Sequence, residues 1–340
     1  MSSRGIAYPL ILIGILAVAL ITYLIVTNIT GQTVSISEVT KRVSQVATGE
    51  SGFDFDENTP GYENLADLQQ GCPFKDCIPS IDDPQFESVE SANEWLGDDD
   101  VVFVFEQGEV VRAYPQKIMN RHEIVNDVVD GDPVVVTFCP LCGSSLAFDR
   151  AVDGEVLEFG VSGKLHNNDL VMYDRQTESL WQQITGESIV GEMFGTLLNQ
   201  IPLSGMRWSQ VKTDFPDAEV LSREGPASTY ERYPYGDYES DPDPLFPMSN
   251  VDNTIHPKTV VYGVEIDGSS KAYTEDAIKD ELKISDSING VAVEISYDNG
   301  NIKVIRLDTE EELPATRLFW FAWAAFNPET ELYDNDMEVF

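Results

Sequence analysis

The sequence predicts an α+β fold. It is mostly antiparallel in its β-structure, contains two duplicated hairpin–helix–strand units and is preceded by one N-terminal transmembrane helix. Three observations predict it. A charge-free apolar run fills residues 6–27. A stretch beginning at Val101 aligns without gaps on a stretch beginning at Val260. Short runs rich in β-branched and aromatic residues, bounded by turn residues, recur elsewhere.

Residues 6–27 read IAYPLILIGILAVALITYLIVT. A membrane-spanning helix needs about 20 predominantly apolar residues. A cleaved signal peptide has an apolar core of only about 7–15 residues and a small-residue cleavage site, which the following NITGQTV does not offer. Pro9 falls in the first turn, where its missing N–H costs little. Arg4 and the amino terminus put positive charge on the N-terminal side, which orients the N-terminus into the cytoplasm and the rest of the chain outside. The expected organisation is an anchor over residues 1–30, a polar stalk over 31–65 and an exported globular domain over 66–340. The only partner this implies is the membrane itself, in a single pass. Protein partners are unknown.

The chain has 340 residues, 42% of them hydrophobic, with 16 Phe, 13 Tyr and 5 Trp, enough for a real core. Its 59 acidic and 21 basic residues give a net charge of -38. Such a field repels nucleic acid and anionic lipid. It also opposes compaction unless salt screens it, and the Debye length falls to about 3 Å at 1 M salt. The acidity is spread along the chain, as in a protein of a halophilic archaeon.

The duplicated units span about residues 101–139 and 260–298. With an offset of 159 (260 − 101), Val101 falls on Val260, Glu106 on Glu265, Tyr114 on Tyr273, Asp127 on Asp286, Gly131 on Gly290 and Phe138 on Tyr297. Each copy reads as strand, turn, strand ending at Ala-Tyr, short helix, then a turn at Gly131 or Gly290 into another strand. Further strands are expected over residues 156–161, 170–173 and 302–307. Matching positions serve the shared fold, so differing positions are free for chemistry. His122 falls on Glu281, Cys139 on Asp298 and Cys142 on Asn301.

Cys139-Pro140-Leu141-Cys142-Gly143 follows the strand over 134–138. Two thiols on one tight turn suit a metal, a reversible disulfide or a structural disulfide. Gly143 stands where c-type haem attachment requires His, so that cofactor is disfavoured. The three histidines are His122, His166 and His256. His122 ends the first copy's helix and His166 lies in the turn after the next strand. Both are candidates to converge on Cys139 and Cys142 as a four-ligand site for zinc or copper. Cys72 and Cys77 are expected to close a small disulfide loop, with a four-cysteine metal site and disulfide exchange between the pairs as alternatives. Residues 222–259 form a long acidic linker whose Asp and Glu spacing fits no EF-hand, and whose acids are expected to be solvated while its Tyr and Pro residues pack it onto the domain. The aromatic run RLFWFAWAAF, residues 317–326, is expected to be buried. No nucleotide-binding loop is present.

Several segments, in this order, resemble the domain of unknown function 3179. They are DCIPSID from Asp76, RAYP from Arg112, HEIVND from His122, CPLCG from Cys139, DLVMYDR from Asp169 and WFAWAAF from Trp320. The resemblance covers about residues 71–333. It implies an extracytoplasmic protein of a family common in halophilic archaea and bacteria. It implies no activity, substrate or catalytic residue.

The functional expectation is therefore a membrane-tethered metal-binding protein. Cys139, Cys142, His122 and His166 would hold the ion. One alternative is a thiol–disulfide oxidoreductase with Cys139 attacking and Cys142 resolving. Another is a non-enzymatic surface or binding module with structural disulfides.

Overall fold

The computed structural model of the protein describes residues 52–333, apart from residues 224, 226, 227, 299 and 300. The expected anchor lies outside the described residues. Among the described residues no helix is long and apolar enough to cross a membrane.

The first unit opens as β1 (Val101–Gln107) and β2 (Val110–Pro115), passes through α1 (Gln116–His122), and continues as β3 (Ile124–Val129), β4 (Asp132–Cys139) and β5 (Ser144–Asp149). A separate sheet follows, with β6 (Phe159–His166), β7 (Asp169–Asp174) and β8 (Leu180–Gln182). The unit resumes as β9 (Ser204–Arg207), α2 (Trp208–Asp214) and β10 (Glu219–Leu221). The second unit runs β11 (Val260–Ile266), β12 (Ser269–Thr274), α3 (Glu275–Glu281), β13 (Lys283–Ile288), β14 (Val291–Asp298) and β15 (Asn301–Arg306). It closes with β16 (Thr316–Phe319), α4 (Trp320–Phe326) and β17 (Glu331–Tyr333).

From β1 to β4 every bound recurs in β11 to β14 at an offset of 159 residues (260 − 101). From β9 to β10 every bound recurs in β16 to β17 at an offset of 112 (316 − 204). The first unit is thus 47 residues longer (159 − 112), and the β6–β8 sheet occupies that extra length.

The pairing also matches. β9 runs antiparallel to β1 and β10 parallel to β2, while β16 runs antiparallel to β11 and β17 parallel to β12. The same polar contacts lock both units. Tyr114 donates to Asp127 at 2.7 Å and Tyr273 to Asp286 at 3.0 Å. Arg112 bridges Asp127 and Glu219, and Lys271 bridges Asp286 and Glu331. These shared residues tie the last strand of each unit to its hairpin. Their role is architectural.

The units meet through β16, which pairs with β5 at Arg317 and Ser145. This joins β3, β4 and β5 to the second unit's strands in one eight-stranded sheet. The turn from the end of β4 into β5, with Cys139 closing β4 and Cys142 in the connection, lies at that seam. The core around it contains Phe159, Trp181, Trp320 and Trp323. The run over 317–326 is buried as expected, with Trp320 to Ala325 inside α4.

One expectation changes in detail. Packing begins before the expected end of the stalk: Phe53, Phe55 and Leu65 lie against Val171 and Leu180, and Phe53 stands edge-on to Tyr173 at 5.4 Å. Aromatic side chains cost free energy when left in water, so this segment folds onto β7. The 222–259 linker matches its expectation: Glu239, Asp241 and Asp243 are exposed, and Tyr230 and Tyr238 turn inward. Lys258 holds it down, with Nζ 3.3 Å from the Tyr238 ring centroid and donating to the Tyr238 and Asp243 carbonyls. It is a strap across the seam.

Candidate metal centre

The β4–β5 connection is a tight turn. Cys139 pairs with Ser144, and the Cys142 N–H donates to the Cys139 carbonyl at 3.2 Å. Pro140 takes the second turn position, where its fixed φ is favourable. Gly143 has φ +60°, and a Cβ there would lie 3.0 Å from the Phe319 ring, so a side chain is doubly disfavoured. Phe319 donates its N–H to the Cys142 carbonyl at 2.8 Å. Tyr238 from the strap donates to the Leu141 carbonyl at 3.0 Å. Both sulfurs are buried and both thiols are free.

A third group reaches them from the extra sheet. β6 and β7 are joined by Asn167 and Asn168, whose φ values are 51° and 70°. Positive φ at both central positions is the geometry of a two-residue hairpin turn, and Asn tolerates it. The turn fixes Asp169 opposite His166. The strap clamps it: Asn168 exchanges hydrogen bonds with the Phe246 backbone at 2.7 and 2.8 Å, and Asn167 accepts from the Ser249 N–H at 2.7 Å. The Asp169 carboxylate and the Cys139 and Cys142 sulfurs offer ligand atoms that all lie within 4.8 Å of one another, and all three residues are buried.

Hydrogen bonds orient the carboxylate. Asp169 Oδ2 accepts from the Gln182 side-chain amide and from the Ile184 N–H at 3.1 Å, and Oδ1 lies 3.3 Å from the Ser144 hydroxyl. Burial raises its pKa to about 7 against the lowering pull of these donors. Burial likewise pushes both thiols up, Cys142 further because the contact between the two thiols raises it and lowers Cys139. Near neutral pH a bound cation would thus displace the protons of both thiols and, in part, that of Asp169.

Beside it lies a cavity of about 160 Å³ with apolar walls including Val161, Leu170 and Phe246. Cys139 and Glu123 line it. Glu123 ends α1 at φ 59°, is 7% exposed, and accepts from the Tyr235 hydroxyl at 3.4 Å. Burial lifts its pKa to about 8.

The structure brings Cys139 and Cys142 together and joins Cys72 to Cys77 as a disulfide. It corrects both expected histidine ligands. His122 is fully buried with Nδ1 3.0 Å from the Pro79 carbonyl and Nε2 3.0 Å from the Tyr230 hydroxyl. Both ring nitrogens are committed to the fold, and His122 is not in the ligand group. His166 is outside it too. Its Nδ1 lies 2.9 Å from Gln182 Oε1, and Gln182 in turn donates to Asp169, so His166 acts on the centre through an amide. His256 accepts the Lys258 N–H at 3.2 Å. Sequence reasoning missed Asp169 and Glu123. The available signal was an acid opening the otherwise apolar run Leu170 to Tyr173, directly after two turn-forming asparagines.

Fold and site together define the class: an α+β protein with two like-built units and a buried dithiol–carboxylate cluster at their seam. The chain belongs to the DUF3179 family of proteins of unknown function, whose model matches residues 75–312. No curated protein and no solved structure matches the chain.

Proposed function

We propose that the chain binds a divalent transition metal through Cys139, Cys142 and Asp169, held outside the cytoplasm by its N-terminal anchor. The convergence of the three ligand atoms within 4.8 Å in a buried site carries this reading. Two thiolates with a carboxylate suit zinc, which takes both ligand types, better than copper, whose reduced form favours sulfur. A dication would also stabilise the three anionic groups that burial disfavours. The test is metal content of the full chain, purified in detergent at high salt. Stoichiometric zinc is expected. It should be lost in Cys139→Ser and weakened at least about tenfold in Asp169→Asn, as ligand removal requires. It should be retained in His122→Gln. Zinc lost in His122→Gln but not in Asp169→Asn would overturn the ligand set.

One observation favours a second reading. Cys139 lines the cavity, whereas Cys142 is 0% exposed and sits against Asp169. That division suits an attacking and a resolving thiol. The Cys139 thiolate would attack a substrate disulfide and release one thiolate. Cys142, passing its proton to Asp169, would then displace the second sulfur, so that two electrons leave the dithiol as the Cys139–Cys142 bridge forms. A metal-free protein with a reversibly reducible Cys139–Cys142 bridge would select this reading.

A further inference from the structure

We infer that a second, larger cavity at the seam is a binding site for a small neutral polyhydroxylated molecule, of the size and chemistry of a single sugar unit. The cavity measures about 360 Å³, in the range of small-ligand pockets. Residues from α1, from the 230–233 segment of the strap and from β16 line it. It contains neither cluster cysteine.

The second unit serves as an internal control. At the offset of 159, Gln116 and Asn120 of α1 correspond to Glu275 and Lys279 of α3. Glu275 and Lys279 satisfy each other as an ion pair, and Glu275 also approaches Arg317 at 3.9 Å. In α1 the pair is replaced by two amides, both on the cavity wall. Asn120 is 8% exposed, and its Oδ1 has no hydrogen-bond partner. A buried unpaired oxygen costs roughly 1–3 kcal/mol, so its retention calls for an occupant. The Tyr233 hydroxyl, also on the wall, meets no partner in good geometry, with the Glu239 carboxylate beside it.

The chemistry of the wall names the class. Its charges nearly cancel: Lys117, Arg232 and Arg317 face Asp99, Asp100, Glu231 and Glu239, and Lys117 is already paired with Asp100. An ionic ligand would gain little from such a balanced set, and the chain's net charge of -38 disfavours anions further. Hydroxyl groups donate and accept, so they can serve an amide oxygen, a phenol and carboxylates at once. Phe138 and Phe319 on the wall supply apolar surface for the C–H groups of a ring.

The experiment is saturation-transfer NMR on the full chain at high salt. The probes are glucose, galactose, mannose and N-acetylglucosamine, with glucuronate, lysine and glycerol as comparisons. At least one neutral sugar should bind saturably and in preference to the charged and smaller probes. Tyr233→Phe, which keeps the ring and the fold, should weaken it about tenfold, the value of one buried hydrogen bond. Asn120→Leu should abolish it. Cys139→Ser should leave it unchanged, which separates this site from the metal centre. Absence of saturation with every neutral sugar, preference for a charged probe, or equal binding by the Tyr233→Phe variant would overturn the inference and leave a cavity that holds only water.

Discussion

Glu123 combines a conformational cost with an electrostatic one. Its φ is 59°, and Leu282, at the corresponding position of the second unit, has φ 60°. The fold therefore imposes a left-handed residue after the helix whatever the side chain, at a cost of about 1–2 kcal/mol for a non-glycine residue. Only the first unit adds a buried acid there. An unfolded Glu titrates near about 4.3, whereas burial holds Glu123 at about 8. The sign follows. Below about pH 4 both states carry the proton and the contribution to stability is complete. Between there and pH 8 the unfolded chain releases its proton while the folded chain keeps it, so stability falls by at most about 1.4 kcal/mol per pH unit. Glu123→Gln, which mimics the protonated acid, should remove this slope. Denaturation at pH 5 and pH 9 should show a variant that gains on the wild type as pH rises. Identical slopes would mean that Glu123 is ionised in the folded state. Zinc bound nearby should shift the window downward, because a dication favours the carboxylate. At this scale the sequence was half legible. Cys139 and Cys142 declared themselves by spacing. The histidines misled because their scarcity drew attention, whereas His122 is needed to satisfy the Pro79 carbonyl and the Tyr230 hydroxyl. Asp169 comes from a different sheet, and no local spacing could connect it to the turn.

Among the elements, helix-on-sheet packing shows how one framework carries different side chains. In the second unit α4 lays Trp323 directly over Gly263 of β11, where an added Cβ would come within 2.3 Å of the indole ring. The corresponding residues of the first unit are Val211, at the offset of 112, and Val104, at the offset of 159. Both belong to one buried cluster. A large residue on the helix is matched by none on the strand, and two medium residues fill the same space in the other unit. Gly263→Ala should therefore destabilise by about 1–3 kcal/mol through overpacking. In a Trp323→Val background the same substitution should be neutral or stabilising. A double-mutant cycle by chemical denaturation measures the coupling, and additive effects would show that the two residues do not share space. The hairpin–helix–strand order was legible because it rests on local signals: alternating β-branched residues, a short helix, turn glycines. The β9–α2–β10 and β16–α4–β17 segments were not seen as counterparts. They carry few identical residues, and their likeness lies in pairing direction, which only the sheets reveal.

For the whole molecule, charge decides more than any single contact. With 59 acidic residues against 21 basic, one-to-one pairing leaves 38 acids unmatched (59 − 21). Several cations are already shared between two acids, as Lys271 is between Asp286 and Glu331 and Lys303 between Glu106 and Glu312. At 0.1 M salt the Debye length is about 10 Å, so unmatched carboxylates on one face repel one another, while at 1 M it is about 3 Å and only nearest neighbours interact. Salt weakens the exposed ion pairs too, but each of these contributes only about 0–1 kcal/mol. The expectation is that repulsion summed over the unmatched acids outweighs that loss. The melting temperature should therefore rise steeply as sodium chloride goes from about 0.1 to 1 M, where the Debye length falls from about 10 Å to about 3 Å. Potassium chloride should act alike, since screening depends on ionic strength and not on ion identity. A rise that begins only well above 1 M, and is far stronger with sulfate than with chloride, would point instead to exclusion of salt from apolar surface. A fall with added chloride would mean that the ion pairs, and not the excess acids, govern stability.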